Sequence, residues 1–233
     1  MAGVQRIAEI VPSEKEAGWE SEEQKRLLVE LFKHPLISSA FFFSGGTSLS
    51  AMYLGHRKSE DLDLFTNNGT FSVGDAWKQV VAHLQEKFGL ELTIACGDAF
   101  ASGIFVSPGG RRLKVDMVYD CFAVRKERPI VTMDGVDIRV DVYDNIVSGK
   151  LSALMSRGAV KDILDTSAIF THALEKFGDE RASDYFKLVL RETAKRDMLA
   201  EDIVYIRDMF SKIGQKHKEN FNPRTLAWIL TVL

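Results

Sequence analysis

FFFSGGTSLSAMYLGHRKSEDLDLFT, residues 41–66, decides how the rest of the chain is read. A short apolar run ends in Ser44, Gly45 and Gly46. A helix-like stretch over 47–54 follows and is closed by Gly55. Arg57 and Ser59 then lead into a second apolar run that carries Asp61 and Asp63. Neither glycine of the pair has a Cβ, so the backbone can turn tightly and a ligand can approach it closely. If Thr47 opens a helix, the N–H groups of its first turn face whatever anion lies against the diglycine. On a strand, Asp61 and Asp63 share one face while Leu62 and Leu64 point into the core. Two acids on one exposed strand face repel each other unless a cation lies between them. Carboxylates of this kind, together with substrate phosphates, build Mg²⁺ sites.

Working outward, the pattern predicts strands at 40–44 and 61–65 and helices over 19–32 and 75–88. Further strands are expected at 90–95, 103–107, 113–119, 128–131 and 136–140. Pro108-Gly109-Gly110 makes 103–119 a hairpin, so the sheet is expected to be mixed. After residue 143 the character changes to helix: 144–156 with Asp144 as N-cap, 160–177, 181–190, 196–210 and a short one at 225–230. The expected division is an α/β domain over 1–143 and a helical domain over 144–233 that completes the nucleotide site.

A third acid, Asp116, sits in Leu113-Lys114-Val115-Asp116-Met117-Val118. Lys114, Asp116 and Val118 share one strand face there. A carboxylate flanked by apolar residues is costly unless it is paired or metal-bound. If this strand lies beside the one bearing Asp61 and Asp63, the trio can hold two Mg²⁺ ions about 4 Å apart. The plain alternative is an ion pair to Arg111 or Arg112. Arg57 is expected to meet Asp63 or a phosphate, and Ser59 to donate to a phosphate oxygen. In the helical half, Lys150, Arg157 and Lys161 would fall within about 20° of one another on one continuous helix. Asp165 lies on the same side, either as a phosphate-site residue or as an i,i+4 partner of Lys161.

Composition excludes several classes. With 233 residues, 45% of them hydrophobic, the chain can bury a sizeable core. A net charge of −3 excludes polyanion binding by bulk charge. Cys96 and Cys121 are too few for a disulfide framework and are expected as reduced core residues. No run is long and apolar enough to span a bilayer, so no membrane partner is expected and the cytoplasm is the expected compartment. The G-x-x-x-x-G-K-[ST] string is missing, which disfavours Walker-type ATPase chemistry. Lys212, Lys216, His217 and Lys218 form a small basic segment, read as a solvated helix end.

Gly45-Gly46-Thr47-Ser48-Leu49, the run from Arg57 to Phe65, Asp116 and the series Lys150, Arg157, Lys161, Asp162, Asp165 together resemble the DNA-polymerase-beta-like nucleotidyltransferases. More narrowly, they resemble the AbiEii/AbiGii-type toxin group, over about residues 40–170. The resemblance implies a minimal nucleotidyltransferase α/β fold, a mixed sheet flanked by helices, followed by a C-terminal helical region. It implies an NTP substrate bound beside Ser44, Gly45, Gly46 and Thr47, with Mg²⁺, or Mn²⁺ in its place, on Asp61, Asp63 and Asp116. It gives the phosphates to Lys150 or Lys161 and a late catalytic acid to Asp162 or Asp165. The acceptor would be RNA, such as a tRNA 3′ end, or protein, and a cognate antitoxin is the implied partner. Two other readings of the same residues are a catalytically idle nucleotide- or partner-binding module and a metal-dependent phosphoesterase.

Overall fold

In the computed structural model, which describes residues 10–121, 127–157, 159–185, 208 and 211–212, five strands form one mixed sheet. They are β1 (Phe42–Ser44), β2 (Asp61–Thr66), β3 (Gly89–Cys96), β4 (Phe100–Val106) and β5 (Arg112–Tyr119), in the spatial order β1-β2-β5-β4-β3. β2 and β5 run parallel, and the other neighbours are antiparallel. A second, two-stranded sheet pairs β6 (Ile130–Met133) with β7 (Val136–Arg139), and Val140 bridges to Phe43.

Period-two alternation explains how the five-stranded sheet is used. Leu62, Leu64, Leu113, Val115 and Met117 are buried, whereas Asp61, Asp63, Lys114 and Asp116 alternate with them and stay partly exposed. The apolar face is covered by helix α4, whose Trp77 lies against Gly103 of β4. α4 spans Val73–Leu84 and buries Val73, Ala76, Trp77, Val80 and Leu84, the spacing of one helical stripe. A Cβ on Gly103 would overlap the indole and lie 2.7 Å from the Leu92 carbonyl oxygen. Gly103→Ala is therefore expected to lower the unfolding free energy by about 1–3 kcal/mol, as overpacking does. A urea midpoint equal to that of the wild type would show that the indole moves aside without penalty.

Helix α1 (Glu22–Lys33) buries Leu27, Leu28, Leu31 and Phe32, and helix α2 (Pro35–Ala40) follows directly. α1 begins later than the expected residue 19 because Ser21 caps it, accepting from Gln24 N at 3.2 Å. The helix after β1 begins earlier than expected. α3 (Gly45–Ser48) starts at the diglycine itself, with Ser44 at the N-cap, and continues as a π-helical turn over Leu49–Leu54. Gly55 N–H closes that turn on Ser50 O at 2.8 Å, the i→i+5 bond of a π-turn.

The chain divides into two compact units, with the boundary between Asn145 and Ile146. That boundary falls inside helix α5 (Tyr143–Arg157), so Asp144 is a first-turn residue rather than the expected N-cap. Helix α6 (Val160–Phe177) has Ala159 at its N-cap, extended with ψ 151°, so α5 and α6 are two helices, as expected for 144–156 and 160–177. Residues 179–185 are helical. The rest of the helix expected at 181–190, those expected at 196–210 and 225–230, and Lys216 to Lys218 lie outside the described residues, except Asp208, Ser211 and Lys212. Cys96 and Cys121 are free thiols, but both are exposed, which corrects the expectation of core positions. Cys96 ends β3, a sheet edge with almost all its residues exposed, and Cys121 lies just beyond β5. Among the described residues no helix is long and apolar enough to cross a membrane.

Candidate active site

The parallel pairing of β2 with β5 does what spacing alone could not. Asp63 lies opposite Asp116, and Asp61 lies opposite Lys114, so three carboxylates and one ammonium share one patch of the polar sheet face. Ser44 is the antiparallel partner of Asp63, which brings the diglycine to the same place. Gly45 has φ +73°, a backbone state that L side chains rarely adopt. A Cβ there would overlap the Asp63 carboxylate, so glycine is required twice over. The Thr47 hydroxyl donates to the Asp61 carbonyl oxygen and ties the α3 turn to the acid strand.

Lys114 holds the centre of this patch. Its Nζ is 2.7 Å from Asp116 Oδ2 and 3.7 Å from Asp61 Oδ2. The other Asp116 oxygen accepts from Ser102 Oγ at 2.6 Å. Burial works against the Lys114 charge, but the hydrogen bond to Asp116 and the charges of Asp61, Asp116 and Asp63 outweigh it and raise its pKa above the usual lysine value. The expected alternative partners of Asp116 are engaged elsewhere: Arg111 lies near Glu20 and Glu23, and Arg112 pairs with Glu91.

Two residues behind this face went unread in the sequence. Gln24, fully buried on α1, donates to the carbonyls of Ser59 and Glu60, each at 2.8 Å, and so fixes the backbone leading into Asp61. Asp141, 4% exposed, accepts from Ser44 Oγ at 2.9 Å, Asn145 Nδ2 at 3.0 Å and Val142 N at 3.0 Å. Arg128 Nε lies 3.4 Å from Asp141 Oδ1, a long contact that acts through charge, and its guanidinium stacks 3.5 Å above the Phe42 ring. Burial pushes the Asp141 pKa up, against the opposing pull of Arg128, Asn145, Ser44 and Val142. The Ser44 proton is directed to Asp141, so toward a ligand this hydroxyl offers lone pairs. Gln24 gave no signal in the sequence. Asp141 did: it is an acid at the end of an apolar strand, the same feature that singled out Asp116.

Ser59 is 6% exposed, and Arg57 Nη1 donates to Lys58 O at 2.9 Å on the surface.

In the helical unit, α5 and α6 are joined by two ion pairs. Lys150 Nζ is 2.7 Å from Asp165 Oδ2, with side-chain exposures of 10% and 0%. Arg157 grips Asp162 bidentately, Nε to Oδ2 and Nη2 to Oδ1, both at 2.7 Å. Both acids are fully buried while the Arg157 side chain is half exposed. Lys161 is exposed. Asp162 and Asp165, from which a late catalytic acid was expected, thus stand as anchors for two cations.

The sheet patch fits a divalent ion by its chemistry. Hard carboxylate oxygens are gathered at one register, and they already hold one cationic group, the Lys114 ammonium. Among the described residues, however, no three carboxylate, histidine or cysteine side chains are arranged to hold a metal as they stand.

A family model described as nucleotidyl transferase AbiEii toxin, type IV TA system, matches residues 26–228. No curated protein matches the chain. Among solved structures, the fold is similar to that of JHP933 from Helicobacter pylori, with 19% identity, a TM-score of 0.52, and 91% of this chain and 88% of that one covered. It is also similar to MenT4, a nucleotidyltransferase toxin from Mycobacterium tuberculosis, with 12% identity, a TM-score of 0.50, and 94% and 84% covered.

Proposed function

Because the chain belongs to the nucleotidyl transferase AbiEii toxin family of type IV toxin–antitoxin systems, we propose that its acidic sheet face catalyses Mg²⁺-dependent nucleotide transfer from an NTP to an RNA end, such as that of tRNA. The observation that carries this reading is the register of Asp63 with Asp116 beside Gly45, which gathers acids and phosphate-accommodating backbone at one point. Asp61, Asp63 and Asp116 would hold the divalent cations, which when bound supply Lewis-acid stabilisation of the phosphate charge. The first turn of α3 offers its N–H groups to the triphosphate. Lys150, Arg157 and Lys161 are assigned to the phosphates, with Asp162 and Asp165 positioning the first two. Arg57, four residues before Asp61, is assigned to the same anion. Ser59 is assigned, through its buried backbone, to shaping the approach to Asp61.

In the reaction an acceptor hydroxyl oxygen attacks the α-phosphorus in line. The new O–P bond forms as the bond to the β-phosphate oxygen breaks, pyrophosphate leaves, and the hydroxyl proton passes to Asp116. The toxin–antitoxin description of the family supports a cognate antitoxin as partner, and the cytoplasm is the compartment assigned to the enzyme in this reading.

Incubation with each of the four α-labelled NTPs, Mg²⁺, total RNA and total protein tests the proposal. Label is expected in RNA, with one pyrophosphate released per nucleotide added. Label in protein would move the acceptor to that class. Label released as nucleoside monophosphate would mark a phosphoesterase, and tight NTP binding without turnover would mark a binding module.

A further inference from the structure

Three carboxylates at adjacent positions of two neighbouring strands need a counter-charge whenever the face is without metal. The chain supplies it from within, because Lys114 stands directly opposite Asp61 in the register and two residues before Asp116 on the same face. Its ammonium reaches both acids, at 3.7 and 2.7 Å, and Ser102 fills the remaining Asp116 oxygen. Both oxygens of Asp116 are therefore engaged. The Lys114 side chain is 36% exposed, so its head is not locked in place by burial. A lysine carries its point charge on a flexible four-carbon stem and can withdraw from a partner without disturbing the strand.

We propose that Lys114 is a built-in counter-ion that competes with divalent metal for Asp61 and Asp116, so that metal loading requires its ammonium to swing away. This rests on the reading of the face as a metal seat. Lys114 acts through the acids and is a positioning residue. Its consequence is that metal alone binds weakly, and that loading is favoured when the triphosphate brings its own oxygens and takes up the displaced positive charge. The Lys114 head then passes from a carboxylate to a phosphate partner.

The test is Mn²⁺ titration without nucleotide, followed by the paramagnetic signal of free Mn²⁺. It uses the full chain and the variants Lys114→Met, Lys114→Arg and Asp63→Ala, with circular dichroism confirming that each is folded. Lys114→Gln stands in for the methionine variant if that one does not fold. Removing a unit charge a few ångströms from a divalent ion is expected to tighten Mn²⁺ binding about tenfold in Lys114→Met. Lys114→Arg, which keeps the charge, is expected to stay near the wild type. A residue with only a structural part would not shift metal affinity in this charge-dependent way. Unchanged or weaker binding in Lys114→Met, with binding lost in Asp63→Ala, would overturn the counter-ion role alone. Undiminished binding in Asp63→Ala would overturn the metal seat itself and this inference with it.

Discussion

Asp63→Ala is expected to lose turnover by roughly a thousandfold, from several kcal/mol of lost transition-state stabilisation at about 1.4 kcal/mol per tenfold, while its melting temperature stays at or above that of the wild type. The two halves of this expectation have separate causes. Asp63 sits opposite Asp116 and presses on Gly45, so its carboxylate is at the centre of the proposed metal seat. Its strand is held by Leu62 and Leu64, both fully buried on the other face, and by ladder bonds on both sides. The substitution touches neither. It also relieves like-charge repulsion among three neighbouring acids. Asp61→Ala should behave in the same way: its 3.7 Å contact to Lys114 is lost, but Lys114 keeps the shorter bond to Asp116. Measurement of melting temperature with and without Mg²⁺–NTP, beside the labelled-NTP assay, separates the effects. Turnover near the wild-type rate in either variant would remove these acids from the chemistry.

Much of this site could be read from alternation. Leu-Asp-Leu and Lys-Val-Asp-Met each announce one buried and one polar strand face, and the structure gives each residue the face its pattern assigned. The partnership of the two strands was beyond local pattern. The two strands, whose partners such as Asp61 and Lys114 lie far apart in sequence, become neighbours only through the crossover that contains α4, β3 and β4. Lys114 illustrates the boundary. Its face was legible, but its ion pair depends on lying across from Asp61, which is a tertiary fact. Gln24 was illegible for a related reason: a polar residue in the first turn of a helix looks solvated until a second segment is laid across it.

In the helical half, spacing left the partners open. Lys161 and Asp165 are four apart, which fits either an i,i+4 pair or a phosphate-facing stripe. In the structure Asp165 is fully buried and pairs with Lys150, and Asp162 is fully buried and pairs with Arg157. The extended Ala159 opens α6 as a separate helix, and the α5 cations meet the acids of that second helix. A stripe on one continuous helix and a clasp between two helices have the same sequence signature, because both place charges at multiples of a helical turn.

That clasp yields the largest expected change in stability. Asp165→Ala would leave the Lys150 ammonium, itself only 10% exposed, without its buried counter-charge. Breaking one side of a buried pair costs about 3–5 kcal/mol, which should appear as a large fall in the urea midpoint. Replacing both partners by apolar residues of similar size, Lys150→Met with Asp165→Leu, should recover most of that loss, since the desolvation penalty of two ions disappears with them. Recovery of stability need not bring recovery of function. If Lys150 also serves the triphosphate, the double variant should fold like the wild type yet show an NTP KM raised at least about tenfold, with kcat changed less. The split has a physical basis: the apolar pair restores packing between α5 and α6 but supplies no positive charge to a phosphate. Wild-type KM in a fully stable double variant would leave Lys150 a purely structural cation and pass the phosphate contact to Arg157 and Lys161, the exposed members of the series.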